Sequence, residues 1–119
     1  MDWHLDKTRP VCPQLCEQLC LQIAKGRLAP REKIPSVREI ALQASVNPNT
    51  VQRALEELER RGILHSVRGS GWFVAEDIAQ AREVLSAILK QKTADYFAAM
   101  ENLGMDVAAV KEYVKEWMV

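Results

Sequence analysis

The chain has 119 residues, enough for one compact domain or a small domain with an appendage, and a chain of this length forms a core without disulfide or metal staples. Its 16 Lys and Arg balance 16 Asp and Glu, and a net charge of zero, taken whole, argues against a polyanionic partner. The longest apolar run, Tyr96–Met100, is too short to span a bilayer, and Met1-Asp2-Trp3-His4 lacks the basic flank of a signal peptide, so a cytoplasmic location is expected.

In chain order, about the first twelve residues read as an irregular lead-in, with Pro10 and Pro13 marking extended chain. Pro13 is tolerated in the first turn of a helix, where its missing N–H has no partner to lose. Leu15, Leu19 and Ile23 then recur every four residues, an amphipathic helix ending near Lys25-Gly26. Pro30 and Pro35 bracket a short connection. Ser36-Val37-Arg38-Glu39 is a capping box, and it opens a short second helix with Val37, Ile40 and Ala41 on its apolar side. Asn47 as cap and Pro48 at the first position start a third helix, whose stripe is Val51, Ala54, Leu55 and Leu58. Its opposite face carries Asn49, Thr50, Gln52, Arg53 and Glu56. Gly62 stops it behind Arg60-Arg61.

Beyond Gly62 the period becomes that of strands. Ile63–Val67 and Trp72–Val74 flank Arg68-Gly69-Ser70-Gly71, which predicts a β-hairpin. Ile78, Ala81, Leu85, Ile88, Leu89, Tyr96 and Met100 trace a long helix that Gly104 breaks. Asp106 caps a last helix with Val107, Val110, Val114 and Trp117 on one side. The predicted fold is mainly α with a small β-hairpin: a winged helix-turn-helix over residues 1–77, then a two-helix tail over 78–119.

Charge follows this division. Lys25, Arg27, Arg31, Lys33, Arg38 and Arg53 face only Glu32 and Glu39 in their window, a local balance of +4, whereas residues 78–119 carry five cations and six anions. Zero net charge therefore conceals a basic segment over the helix-turn-helix.

The stretches Ile34-Pro35-Ser36-Val37-Arg38-Glu39-Ile40-Ala41 and Val46-Asn47-Pro48-Asn49-Thr50-Val51-Gln52-Arg53-Ala54-Leu55-Glu56-Glu57-Leu58, with the wing Arg68-Gly69-Ser70-Gly71-Trp72-Phe73-Val74, resemble the GntR family of bacterial transcription regulators. The leading Pro10…Gln14-Leu15…Gly26 fits as well, so the resemblance covers roughly residues 10 to 75. The short helical tail looks like the YtrA subfamily. Two departures stand out. The family usually has Gly after Pro in the loop before the second helix, and here Arg31 follows Pro30. Positive φ is easier for Gly, so this loop is expected to differ locally, with Arg31 offering a phosphate contact instead. Cys12 replaces an aromatic residue common in the first helix.

The resemblance implies double-stranded DNA as partner. The polar face of the third helix should enter the major groove with its first residues nearest the base edges. Arg38 matches a position that contacts DNA in the family, and Asn47, Asn49, Thr50 and Gln52 match its helix-start contacts, with Arg53 beside them. Ser36 joins the set. Arg suits guanine and Asn or Gln suits adenine, while Thr50 and Asn49 equally suit phosphate; Asn47 has the alternative role of a cap. At the wing, Arg68, Gly69 and Ser70 let backbone and guanidinium approach a narrow minor groove.

Cys12, Cys16 and Cys20 lie four residues apart on one helix face, where thiolates can form a soft-metal site with His4 or His65. Side chains two turns apart diverge from a single ion, and these three border the Leu15, Leu19, Ile23 stripe, where cysteine packs as a small apolar residue. Trp3, Trp72 and Trp117 read as packing anchors. No catalytic set or cofactor motif is present, so no enzyme activity and no cofactor are expected. The reading is a homodimeric repressor that binds a palindromic operator and is released by a small-molecule effector. Leu85, Ile88, Leu89, Tyr96, Met100, Val110, Val114 and Trp117 are the residues expected to pair the tails across a two-fold axis. The alternatives are a metal- or thiol-responsive regulator using the three cysteines, and a winged-helix protein-interaction module without strong DNA binding.

Overall fold

The computed structural model describes residues 1–119: α1 (Val11–Ala24), α2 (Val37–Ala44), α3 (Pro48–Arg60), β1 (Leu64–Val67), β2 (Gly71–Val74), α4 (Ala79–Asn102) and α5 (Val107–Trp117). Two compact units result, Met1–Leu85 and Ser86–Val119.

Local chemistry sets the helix starts in the first unit. At α2 the Ser36 hydroxyl accepts from the Glu39 N–H and the Glu39 carboxylate accepts from the Ser36 N–H, both at 3.1 Å, so the capping box is complete. At α3 the Asn47 side-chain oxygen accepts from the Asn49 N–H at 2.7 Å, and Pro48 occupies the first turn. Helix α1 has no side-chain cap and begins behind Pro10.

The core joins three helices to the hairpin. Leu15, Leu19 and Ile23 of α1, Ile40 of α2, Val51, Leu55 and Leu58 of α3, and Leu64 and Val74 of the hairpin are each at most 2% exposed. Helix α3 packs against α1, α2 and β1, which makes it the centre of the unit. Enclosing each large aliphatic side chain stabilises the fold by about 1.5–3 kcal/mol, and no polar side chain is buried to offset the gain. Ala81 is 1% exposed and Val84 packs on the same core, so the first unit reaches past the division expected after residue 77.

The hairpin pairs Leu64 with Val74, His65 with Phe73, Ser66 with Trp72 and Val67 with Gly71. Residues 31–34, expected as a plain connection, run along its free edge: Arg31 N–H donates to Val74 O at 3.0 Å, Val74 N–H to Glu32 O at 2.9 Å and Ile34 N–H to Trp72 O at 3.0 Å. Arg31 sits there at φ +67°, left-handed backbone that glycine adopts freely and other residues adopt at a cost of about 1–2 kcal/mol. The loop thus takes the positive-φ turn with an arginine. The Arg31 guanidinium pairs with Glu76, so the cation expected for a phosphate is engaged within the chain.

In the second unit, α4 ends at a turn in which Gly104 has φ +90°, and Asp106 caps α5 through the Ala109 N–H at 2.8 Å. Val110, expected among the pairing residues, is instead enclosed by its own chain at 1% exposure. Leu85, Ile88, Met100 and Val114 are half-buried, whereas Leu89, Tyr96 and Trp117 are exposed, together with Leu103, Val107, Tyr113 and Met118.

Candidate nucleic-acid interface

The turn between α2 and α3 fixes what the third helix presents. Ser45 ends α2 at φ +56°, and the Val46 N–H donates to Ala41 O at 3.1 Å, which closes the helix and redirects the chain. With Val51, Ala54, Leu55 and Leu58 inward, Asn49 and Arg53 stand exposed and Thr50 and Gln52 half-exposed on the outer face. Arg38 projects from α2, also exposed.

Several expected contacts already have work inside the chain. Ser36 is the N-cap of α2 and Asn47 the N-cap of α3, so their side-chain oxygens satisfy backbone N–H groups. The Gln52 amide donates to Glu56 at 2.8 Å. The Ser36 hydrogen bonds also hold the Glu39 carboxyl below its ordinary value, so the cap is charged at neutral pH. Arg38, Arg53 and Arg68 differ: none of them has a carboxylate within ion-pair reach, whereas Arg9, Arg31 and Arg60 are paired with Asp6, Glu76 and Glu57.

The wing tip is a tight turn closed by Ser70 N–H to Val67 O at 2.9 Å. Gly69, at its third residue, has φ +80°, the conformation for which type II turns use glycine. This leaves Arg68 at the outermost corner beside Ser70. Gly71 has a second requirement. A Cβ there would lie 3.2 Å from the Lys33 Cε, so the Lys33 side chain lies against β2 beside the tip of the wing. Sequence reasoning counted Lys33 in the basic window but gave it no place, because the pairing of residues 31–34 with β2 is non-local. Glu59 braces the hairpin against α3, accepting from the Ser66 N–H at 2.8 Å and its hydroxyl at 2.9 Å; the first of these contacts is the main cause of its lowered pKa.

The three cysteines form no part of this surface. Cys16 and Cys20 are buried and Cys12 is half-buried. Burial pushes the Cys16 thiol up to about 12, and it donates to Ala54 O at 3.5 Å; burial raises Cys20 as well. No group of three His, Cys, Asp or Glu side chains is placed to hold one metal ion. The burial of Cys16 and Cys20 fits a packing role in the α1 core.

A short helix, a left-handed turn, a second helix with a polar outer face and a glycine-tipped hairpin braced against it define a winged helix-turn-helix of the transcription-regulator class. Residues 13–74 match the family described as bacterial regulatory proteins, gntR family. The chain belongs to this family, and within it is YtrA-like. It is 32% identical over 108 residues to the HTH-type transcriptional repressor YtrA of Bacillus subtilis (strain 168), covering 90% of this chain and 83% of the relative. A GntR family transcriptional regulator from Listeria monocytogenes superposes with a TM-score of 0.79 at 33% identity, over 94% of this chain and 98% of that one. The DNA-binding domain of AraR, solved in complex with operator ORX1, matches with a TM-score of 0.55 at 33% identity, over 63% of this chain and 92% of that domain.

Proposed function

We propose that this regulator is a homodimeric repressor that binds a palindromic operator, with the first unit, which reaches past the expected 1–77 to Leu85, as the DNA-binding head and the rest of the 78–119 segment as the pairing tail. The observation that carries the DNA reading is the set Arg38, Arg53 and Arg68: one on each helix of the helix-turn-helix and one on the wing, all exposed and without a carboxylate partner. Arg53 and Asn49 reach base edges in the major groove, Arg38 and Thr50 hold phosphates, and Arg68 enters the minor groove. Gly69 and Ser70 bring the wing backbone close. Ser36, Asn47 and Gln52 act mainly by shaping the surface, since their polar groups are engaged within the chain. The operator complex of the AraR domain supports DNA as the partner, and the name of YtrA supports repression.

Pairing rests on the apolar side chains of the tail that its own unit leaves open, chiefly Leu89 at 58%, Tyr96 at 41% and Trp117 at 79% exposure. Tyr96, Tyr113, Val114 and Trp117 line one shallow groove, and a small-molecule effector that enters it would compete with pairing.

Selection of bound sequences from random duplex DNA, at stated salt, tests the proposal. A two-fold symmetric site with half-sites about one helical turn apart, or a multiple of it, is expected. Weak binding with no preferred sequence, insensitive to Arg38→Ala, would instead favour a protein-interaction module, and binding to the selected site unchanged by both Arg38→Ala and Arg53→Ala would mean that the assigned face is wrong.

A further inference from the structure

The residues before α1 form a fastened strap. The Gln18 amide accepts from the His4 N–H at 3.0 Å and donates to the His4 carbonyl at 2.7 Å. The Gln14 amide does the same for Asp6, with both bonds at 2.8 Å. Four residues along a helix and two along an extended chain both span roughly 6 Å, so two glutamines on one helix face imitate a neighbouring strand. Met1, Trp3 and Leu5, the alternate residues, pack on the core, and the Trp3 indole N–H donates to the Gln43 side chain of α2 at 3.2 Å.

At its end the strap turns sharply. Asp6 accepts from the Thr8 N–H and the Arg9 Nε, both at 3.0 Å, and its carbonyl accepts from the Arg9 N–H at 3.2 Å. Arg9 is thereby neutralised by Asp6. Lys7, held inside this turn, extends its ammonium to the carbonyl of Ser45 and has no carboxylate partner. Ser45 is the left-handed residue closing α2, two residues before the cap of α3. Two residues of chain span at most about 7 Å, so an uncompensated positive charge is fixed within about 10 Å of the start of the reading helix. When that helix lies in a major groove about 12 Å wide, the groove wall at this distance is phosphate.

We infer that Lys7 is a phosphate contact of the operator complex, held ready by the strap, so that the DNA-binding surface extends beyond the helix-turn-helix and wing to the residues before α1. The inference rests on the DNA-binding reading and adds to it one positioning contact that confers no base preference. The competing role for Lys7 is structural, as a cation at the C-terminal end of α2. The two roles differ in their dependence on salt.

The test compares the full chain, Lys7→Met, Lys7→Arg and Arg53→Ala on one duplex carrying the selected site, with affinities measured from about 50 to 200 mM salt. A lost phosphate contact lowers the slope of log K against log salt by about 0.9 per bound chain, so on a two-fold site holding two chains Lys7→Met loses about 12-fold less affinity than the parent over this fourfold rise. Lys7→Arg keeps the parent slope. A Lys7→Met curve displaced in parallel, or superimposed on the parent, overturns the inference. Arg53→Ala separates the two failures: if it binds the selected site as the parent does, the face assigned to α3 falls, whatever the Lys7 slope.

Discussion

Alkylation of the native protein at pH 8 offers a sharp check on the cysteines of α1. An ordinary thiol at 9.0 is about one-tenth thiolate at this pH, whereas Cys16, pushed up to about 12, is thiolate in about one molecule in ten thousand. Since the thiolate is the nucleophile, this slows Cys16 relative to a free cysteine, although the more basic thiolate is the better nucleophile and recovers part of the loss. Access slows it further: Cys16 is 5% exposed and Cys20 is 0% exposed, both against the core that α1 shares with α3. Half-buried Cys12 stands outside this protection. Treatment with iodoacetamide followed by intact-mass measurement should therefore give one adduct, assigned by fragmentation to Cys12, before any second. In denaturant all three should react together. If Cys16 or Cys20 reacts in the folded protein within about tenfold of Cys12, burial does not hold these thiols protonated and a thiol-responsive regulator becomes the better reading.

Other consequences are equally direct. Arg53→Ala should weaken binding to the selected duplex by about 1–3 kcal/mol and relax its preference at one base position, as read by competition among single-base variants. Ser36→Ala removes the cap of α2 and should lower unfolding stability by about 1 kcal/mol, measured by urea titration. Glu39 and Glu59 both titrate below the ordinary 4.5 when folded, so each contributes stability present above that value and lost as pH falls through the lower folded value. Glu59→Gln should flatten this acid limb in denaturation profiles and raise hydrogen exchange at the Ser66 amide. Trp117→Ser should reduce the dimer fraction in analytical ultracentrifugation while leaving thermal stability of the first unit unchanged, because the side chain is 79% exposed.

What the sequence revealed was written in neighbouring residues. The capping box at Ser36 and Glu39, the Asn47-Pro48 start, the Gly62 stop and the Asp106 cap each depend on contacts within a few residues, and each lies where the pattern placed it. The outward face of α3 followed from the period of its apolar stripe. What stayed hidden depended on distance along the chain. Residues 31–34 pair with β2 about forty positions away, and nothing between Pro30 and Pro35 signals a strand. The strap is held by glutamine side chains, whose hydrogen bonds leave no periodic trace. Residue type could not separate Val110, buried at 1% exposure, from Trp117 on the same stripe and open to solvent. Asn47 was legible both as cap and as base contact, and the 2.7 Å bond from the Asn49 N–H shows its side-chain oxygen engaged in the cap.

The brace from Glu59 to Ser66 has a consequence for operators. It joins the last turn of α3 to the first strand of the wing, so these two elements behave as one rigid gauge. On DNA, the interval between the base pairs proposed for Arg53 and the minor groove proposed for Arg68 would then be set by the protein, and the duplex would have to conform. Base pairs lying between these two contacts would be selected by how readily they bend or narrow, although no side chain touches them.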